Sequence, residues 1–330
     1  MKDFSGFVEY IKNHDNFKGT ITQDELLAPK STFKIGGRAS VYVAPEDYYS
    51  FQLCLRRIIA DNLPFYITGG GSNLVFPDDG FKGVILSSQN FNDVMLFPKG
   101  DLPEDFPPEE AQKLGKDDLL VTCFAGTPMA AFVSFCTKND LSGAEQFAGL
   151  PGTVGGAAYM NARCFDKSIS DIIYYYTWMD YSDKDIPLHH ERINPADWDY
   201  KKSPFQNNRR FVTTVTFLLK RIHGDAKMQI AKDCRHYTVE RIDKGHFKFP
   251  SAGSVFKNNH DFGAPSGKLI DECGLKGTKI GGAQIAPFHG NFIINVDHAK
   301  ASDVRQLVQL AQEKVKEKFG FDLEPEIIFL

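Results

Sequence analysis

No excess of positive charge runs through these 330 residues, in which 38 Lys and Arg stand against 42 Asp and Glu for a formal charge of −4. That balance excludes the basic field that holds a nucleic acid backbone, so a Lys or Arg that matters acts locally, in a pocket. No apolar run approaches a membrane span, and the first residues carry no apolar core of signal-peptide length. The expectation is a soluble, cytoplasmic protein without membrane insertion. Cys54, Cys123, Cys136, Cys164, Cys234 and Cys273 form no C-x-x-C pair, and the His189-His190 pair belongs to no H-E-x-x-H set. Ordinary reduced thiols and no protein-held metal follow.

The length suffices for two or three domains whose cores need no covalent staples. Val41-Tyr-Val-Ala44 reads as a strand, and 46–62 carries Phe51, Leu55, Ile58 and Ile59 at the spacing of one helical face. Short strands at 63–68 and 74–76 flank Gly69-Gly70-Gly71-Ser72-Asn73, which suggests a small α/β unit. From 96 to 118 the chain turns proline-rich and acidic, with Pro98, Pro103, Pro107 and Pro108, and reads as an exposed insertion. Strand character returns at 119–123, and Thr127-Pro128 predicts a helix with Thr127 as N-cap, running through Met129, Phe132, Val133 and Cys136. The runs 172–179 and 211–219 are β-rich. Further on, 292–296 reads as a strand and Ser302 as the cap of a helix bearing Val304, Leu307, Val308, Ala311 and Val315. A last strand closes the chain at 323–330. The composition shift at 220–225 marks the candidate start of a final domain.

Two glycine loops point to a ligand. The first joins two apparent strands, unlike a dinucleotide fingerprint that runs from strand into helix, and so argues for backbone amides around a phosphate. A glycine hairpin is the alternative. The second, Leu150-Pro-Gly152-Thr-Val-Gly155-Gly156-Ala157-Ala158-Tyr-Met-Asn161, is crowded with small residues, poor for helix or strand and suited to close approach by a bulky ligand. Two such loops fit a long cofactor with a pyrophosphate better than two unrelated turns. Elsewhere, Phe249-Pro-Ser-Ala-Gly253-Ser254-Val-Phe-Lys257-Asn258 sets a hydroxyl between a flexible backbone and a cation, with no nearby histidine to make it a nucleophile.

Seven motifs, in order, resemble the UDP-N-acetylenolpyruvoylglucosamine reductase family. They are Thr32-Phe-Lys-Ile-Gly-Gly37, the Gly-Gly-Gly-Ser-Asn loop, Leu150-Pro-Gly-Thr-Val-Gly-Gly, Tyr200-Lys-Lys-Ser-Pro-Phe205, Gly253-Ser-Val-Phe-Lys-Asn258, Leu269-Ile-Asp-Glu-Cys-Gly-Leu-Lys-Gly277 and the terminal Glu-Pro-Glu326. The direct passage from Lys257-Asn258 to Gly267-Lys-Leu-Ile-Asp resembles the compact subtype. The resemblance implies an α+β fold, with a two-subdomain FAD cradle of the PCMH/vanillyl-alcohol-oxidase type at 1–90 and 91–222. An α/β substrate domain at 223–330 completes it. It implies non-covalent FAD, NADPH as hydride donor, a sugar-nucleotide substrate and a monomer.

By the same resemblance, Gly69, Gly70, Gly71, Ser72, Asn73, Leu74, Pro151, Gly152, Thr153, Gly155, Gly156, Tyr159 and Asn161 hold the cofactor. Hydride passes from the flavin N5 to C3 of the enolpyruvyl ether, and C2 then needs a proton, which Ser254 would donate. Glu326 matches the acidic residue at the substrate carboxylate, where it must be protonated or accompanied by a cation. Lys201 occupies the usual position of an arginine and keeps the charge without the two-toothed grip. Tyr200, Lys244, Lys257, Asn258, Lys276 and His289 match substrate contacts, with Lys244 and Lys276 at the diphosphate. Arg163, Ile328 and Asn259 depart from the family pattern, and Arg163 is expected near flavin or substrate. An oxidase of the same cradle and a non-catalytic flavin or nucleotide binder are the alternatives.

Overall fold

The computed structural model describes residues 3–102 and 106–330. Its chain contacts divide it into two compact units, each built from separated segments: 1–21, 43–69 and 86–239 in the first, 22–42, 70–85 and 240–330 in the second. The division falls inside the helix Lys227–Asp243, beyond the composition shift at 220–225. It also falls within the strands Gly19–Leu26, Arg38–Pro45 and Phe81–Ser87.

The first unit is organised by an antiparallel sheet in the order Leu188–Arg192, Ile173–Asp180, Arg210–Arg221, Asp118–Phe124, Val94–Pro98. Its long strand alternates little, with 211–217 buried throughout, because helices cover one face and aromatic side chains the other. Phe132, Phe147, Phe205 and Phe217 fill the helical side. The helix Met129–Lys138 starts one residue later than its sequence predicts: Pro128 occupies the capping position, and Thr127 Oγ1 donates to Asp93 O at 2.8 Å.

The proline-rich stretch is more structured than expected. Residues 103–105, Pro103 among them, lie outside the described residues, but the remainder supplies the edge strand Val94–Pro98 and the helix Pro108–Lys113. Phe106 packs on Tyr174 and Tyr175, and the Glu110 carboxylate accepts the Tyr174 hydroxyl at 2.6 Å and lies 3.4 Å from Arg192. The Lys113 ammonium first, then the Tyr174 hydroxyl, hold the Glu110 carboxyl below its usual range. The acidic character that suggested solvent exposure thus includes an anchor onto the sheet.

The second unit has the antiparallel sheet Ser251–Ser254, Phe292–Asn295, Ala283–Ile285, Lys279–Ile280, and a parallel pair between Ile328–Phe329 and Leu74–Val75. The terminal strand is therefore shorter than 323–330. Helix Ala301–Phe319 buries the predicted stripe of Val304, Leu307, Val308, Ala311 and Val315. Ser302 is not its cap. It lies inside the helix, and the Asp78 carboxylate accepts from Ala301 N and Ser302 N at 2.6 and 3.0 Å, satisfying orphan amides. The α+β class expected from the sequence is the class observed.

Candidate functional site

In the first unit Gly69, which opens the first glycine loop, touches the second loop at Thr153. A Cβ at Gly69 would lie 2.4 Å from Thr153 Oγ1, so only glycine lets the loop after Phe65–Thr68 come this close. Thr153 is fixed because its hydroxyl accepts from Gly156 N at 3.3 Å, capping a short helix, Val154–Tyr159. The expectation that 150–161 would not be helical is corrected here. The cap, and the bonds Val154 N to Thr127 O and Gly155 N to Ala125 O, both 2.8 Å, outweigh the low propensity of two glycines. At Gly156 a Cβ would meet nothing closer than Thr153 Oγ1 at 3.4 Å. That leaves bare backbone on which a flat group can rest. Neither 69–74 nor 150–161 contains a carboxylate to repel a phosphate. The residues present fit a large phosphate-bearing cofactor.

Residues 199–206 are fastened to the end of this helix. Asp199 and Lys202 pair across a tight turn, with Lys202 N donating to Asp199 O at 3.0 Å, and Lys201 sits at φ +57°. Asn161 Nδ2 donates to Asp199 O at 2.8 Å, and Ser203 Oγ to Tyr159 O at 2.7 Å. Burial raises the Tyr159 hydroxyl pKa, so the ring is neutral. Arg163 lies in the hairpin Arg163–Cys164 with Lys167–Ser168, 3.4 Å from the Asp166 carboxylate.

In the second unit Ser254 and Glu326 are brought together by main-chain bonds. Ser254 ends its strand opposite Phe292, after Gly253 at φ +76° turns the chain. Glu326 N donates to Val255 O at 2.7 Å, and Lys257 N to Glu324 O at 2.9 Å. Asn73 Nδ2 donates to Glu326 O at 2.9 Å, linking the end of the first glycine loop to the acidic residue. Thr32 Oγ1 holds Ser251 O at 2.7 Å, which gives the Thr32-to-Gly37 motif a role in placing the serine strand. Asn291, absent from the sequence expectations, is 4% exposed and clamps Phe256 through both its N and its O at 2.8 Å. Its signal was an Asn immediately before the β-rich run 292–296.

The expected substrate cations carry partners: Lys257 with Glu324 at 2.6 Å, Lys276 with Asp271 at 2.9 Å and Lys244 with Glu240 at 2.5 Å. A bound diphosphate would have to share or replace these carboxylates. Asn258 Oδ1 accepts from Ser266 N at 3.0 Å and fixes the start of helix Ser266–Glu272. Asn259 accepts from Asp261 N at 2.9 Å. His289 packs against Phe292, and burial lowers its pKa.

These features define a two-part flavoprotein: residues 39–183 match the family described as FAD binding domain. Residues 245–330 match UDP-N-acetylenolpyruvoylglucosamine reductase, C-terminal domain. Similar proteins include UDP-N-acetylenolpyruvoylglucosamine reductase of Treponema denticola, 41% identical and covering 94% of each chain, and that of Borreliella burgdorferi, 35% identical and covering 97% of this chain and 98% of the other. The crystal structure of the reductase (MurB) from Thermus caldophilus superposes with a TM-score of 0.69 at 28% identity, covering 95% of this chain and 99% of that one. The chain belongs to the UDP-N-acetylenolpyruvoylglucosamine reductase family.

Proposed function

We propose that this chain is an FAD-containing, NADPH-dependent oxidoreductase that reduces UDP-N-acetylglucosamine enolpyruvate to UDP-N-acetylmuramate for peptidoglycan synthesis. The observation that carries this reading is the pairing of the Ser254 strand with the Glu326 segment through Glu326 N and Val255 O, in a chain of this family. The reading includes a monomeric cytoplasmic enzyme of the compact subtype, a choice supported by the short run 259–265 between the serine motif and helix Ser266–Glu272. Among the described residues no helix is long and apolar enough to cross a membrane.

FAD, when bound, supplies the hydride that it takes from NADPH. The residues at 69–74 and those at 150–161 would hold it through backbone and small side chains. As hydride reaches C3 of the substrate, the C2–C3 double bond becomes an electron pair at C2, delocalised into the carboxylate. Lys201 offsets that charge and Glu326 orients the carboxylate end. Ser254 Oγ gives its proton to C2 and recovers one from solvent. The enolate is a strong enough base to accept a proton from a hydroxyl, so no histidine is required. Tyr200, Lys244, Lys257, Asn258, Lys276 and His289 hold the sugar nucleotide.

The test is anaerobic. NADPH is added to the purified yellow protein, then UDP-N-acetylglucosamine enolpyruvate, while flavin absorbance is followed. Bleaching and a substrate-dependent return of colour are expected. Return only on admitting oxygen would make the chain an oxidase, and protein that takes up no FAD would overturn the reading altogether.

A further inference from the structure

We propose that Gln206 is a positioning residue for Lys201, coupling the lysine turn to the end of the second glycine loop. This rests on the reading of Lys201 as the partner of the substrate carboxylate. Gln206 Nε2 donates to Tyr159 O at 2.8 Å and to Lys201 O at 3.1 Å. Both partners are carbonyls, so the amide must present its NH2 to them. Tyr159 is the last residue of helix Val154–Tyr159, where carbonyls lack an intrahelical donor, and the lysine loop supplies two: Gln206 and the Ser203 hydroxyl.

The placement of the amide is itself fixed. Phe205, 1% exposed, is wedged edge-on against Tyr176 and Trp198 with ring centroids 5.2 and 5.8 Å away, which sets the direction in which the next side chain leaves. On the other side of the bond, Lys201 holds a left-handed conformation in the third position of its turn, a place suited to Gly or Asn and strained for Lys. Such strain persists only when neighbours hold the backbone. The bond to Lys201 O opposes relaxation out of the left-handed region. Relaxation would redirect Cβ and carry the ammonium away from its working position. Gln206 touches neither substrate nor reacting atoms in this scheme; it acts through Lys201.

The test uses Gln206→Glu, which turns a carboxylate toward two carbonyls, and Gln206→Ala, alongside Lys201→Ala and the double variant Lys201→Ala/Gln206→Ala. The two half-reactions of the holoenzyme are timed separately by anaerobic stopped flow. Substrate-dependent reoxidation of the flavin should slow by about 10- to 10²-fold, as for a displaced charged group, while reduction by NADPH changes by less than about two-fold. The double variant should be no slower than Lys201→Ala, because two residues acting through one group are not additive. In flavin-free protein, amide exchange over 199–202 should quicken about ten-fold in both Gln206 variants. Wild-type reoxidation in both Gln206 variants, with Lys201→Ala impaired, overturns this proposal alone. Equal losses in both half-reactions mean a general structural role and also overturn it. Wild-type reoxidation in Lys201→Ala removes Lys201 from the chemistry, and this proposal with it.

Discussion

The lysine turn of the first unit and the serine strand of the second are held in place by different means. Around Lys201, apart from the main-chain pairing of Asp199 with Lys202, the bonds run mostly from side chains to main chain: Asn161 to Asp199, Ser203 to Tyr159, Gln206 to Tyr159 and Lys201. Around Ser254 they run mostly from main chain to main chain: Val255 N to Asn291 O, Glu326 N to Val255 O, Lys257 N to Glu324 O. Asn291 is the main side-chain contribution. A main-chain frame survives changes of side chain, whereas a side-chain frame changes whenever one member changes. Ile328, a position where the resemblance led us to expect arginine, pairs with Leu74 through its backbone, so its side chain can differ without moving the strand. Lys201, also a departure, lies in the region whose geometry depends on its neighbours' side chains.

The largest expected effect tests the second unit's chemistry apart from its frame. Ser254→Ala keeps every main-chain bond and removes the proton donor. Product formation should slow by at least about 10²-fold, the low end for lost acid catalysis, with flavin reduction by NADPH near normal. Unchanged turnover in a single-turnover assay would remove Ser254 from the mechanism. Asn291→Ala attacks the frame instead. It leaves buried N–H and C=O of Phe256 unpaired and should destabilise by about 1–3 kcal/mol in urea unfolding. A loss near zero would mean that main-chain bonds alone hold the serine strand, which makes the contrast between the two regions sharper still.

The two regions were also unequally legible in the sequence. Amphipathic stripes gave the helices Tyr48–Ala60 and Ala301–Phe319, because burying one face leaves a period of 3.6 that composition cannot hide. Serine and glutamate were visible through short motifs. The resemblance put both at one substrate, but the main-chain bonds that join their segments, between residues about seventy positions apart, were not visible. The glycine loop 150–161 misled on local structure because its backbone partners, Thr127 and Ala125, lie earlier in the chain. Helix ends at Pro128 and Lys300 were displaced for a related reason: Thr127 bonds Asp93, and the carboxylate that serves the amides of Ala301 and Ser302 comes from Asp78. The discontinuous units follow strands that the chain enters and leaves more than once, which no linear composition shift records.

A smaller change probes the contact between the two glycine loops. Gly69→Ala would place a methyl 2.4 Å from Thr153 Oγ1, and the threonine must leave its capping position to make room. Loss of such a cap costs about 1 kcal/mol. A lower melting temperature together with weaker FAD retention on dilution is expected. If Gly69→Ala instead lowers only the melting temperature, the loops meet for stability and the cofactor rests elsewhere.

The mildest stress is acid, and it should separate the two regions without a mutation. His246 and His289 flank Phe292 in the second unit, with ring centroids 4.7 and 4.4 Å from it. Burial lowers both pKa values, that of His246 to about 4, and nearby Arg241 and Lys244 push His246 the same way. An unfolded histidine titrates near about 6.5. As pH falls from there toward the folded value, the unfolded chain binds more protons than the native one, and stability is lost with falling pH. Above about pH 7 both states are neutral at these rings and the contribution is complete. Melting temperature should therefore hold steady at neutral pH and decline through weakly acid pH, with amide exchange rising first in Ser251–Ser254 and Phe292–Asn295. His246→Gln/His289→Gln should flatten that decline, since glutamine carries no titrating proton. An equal decline in the double variant would assign the acid sensitivity to other groups and leave the serine strand no more fragile than the lysine turn.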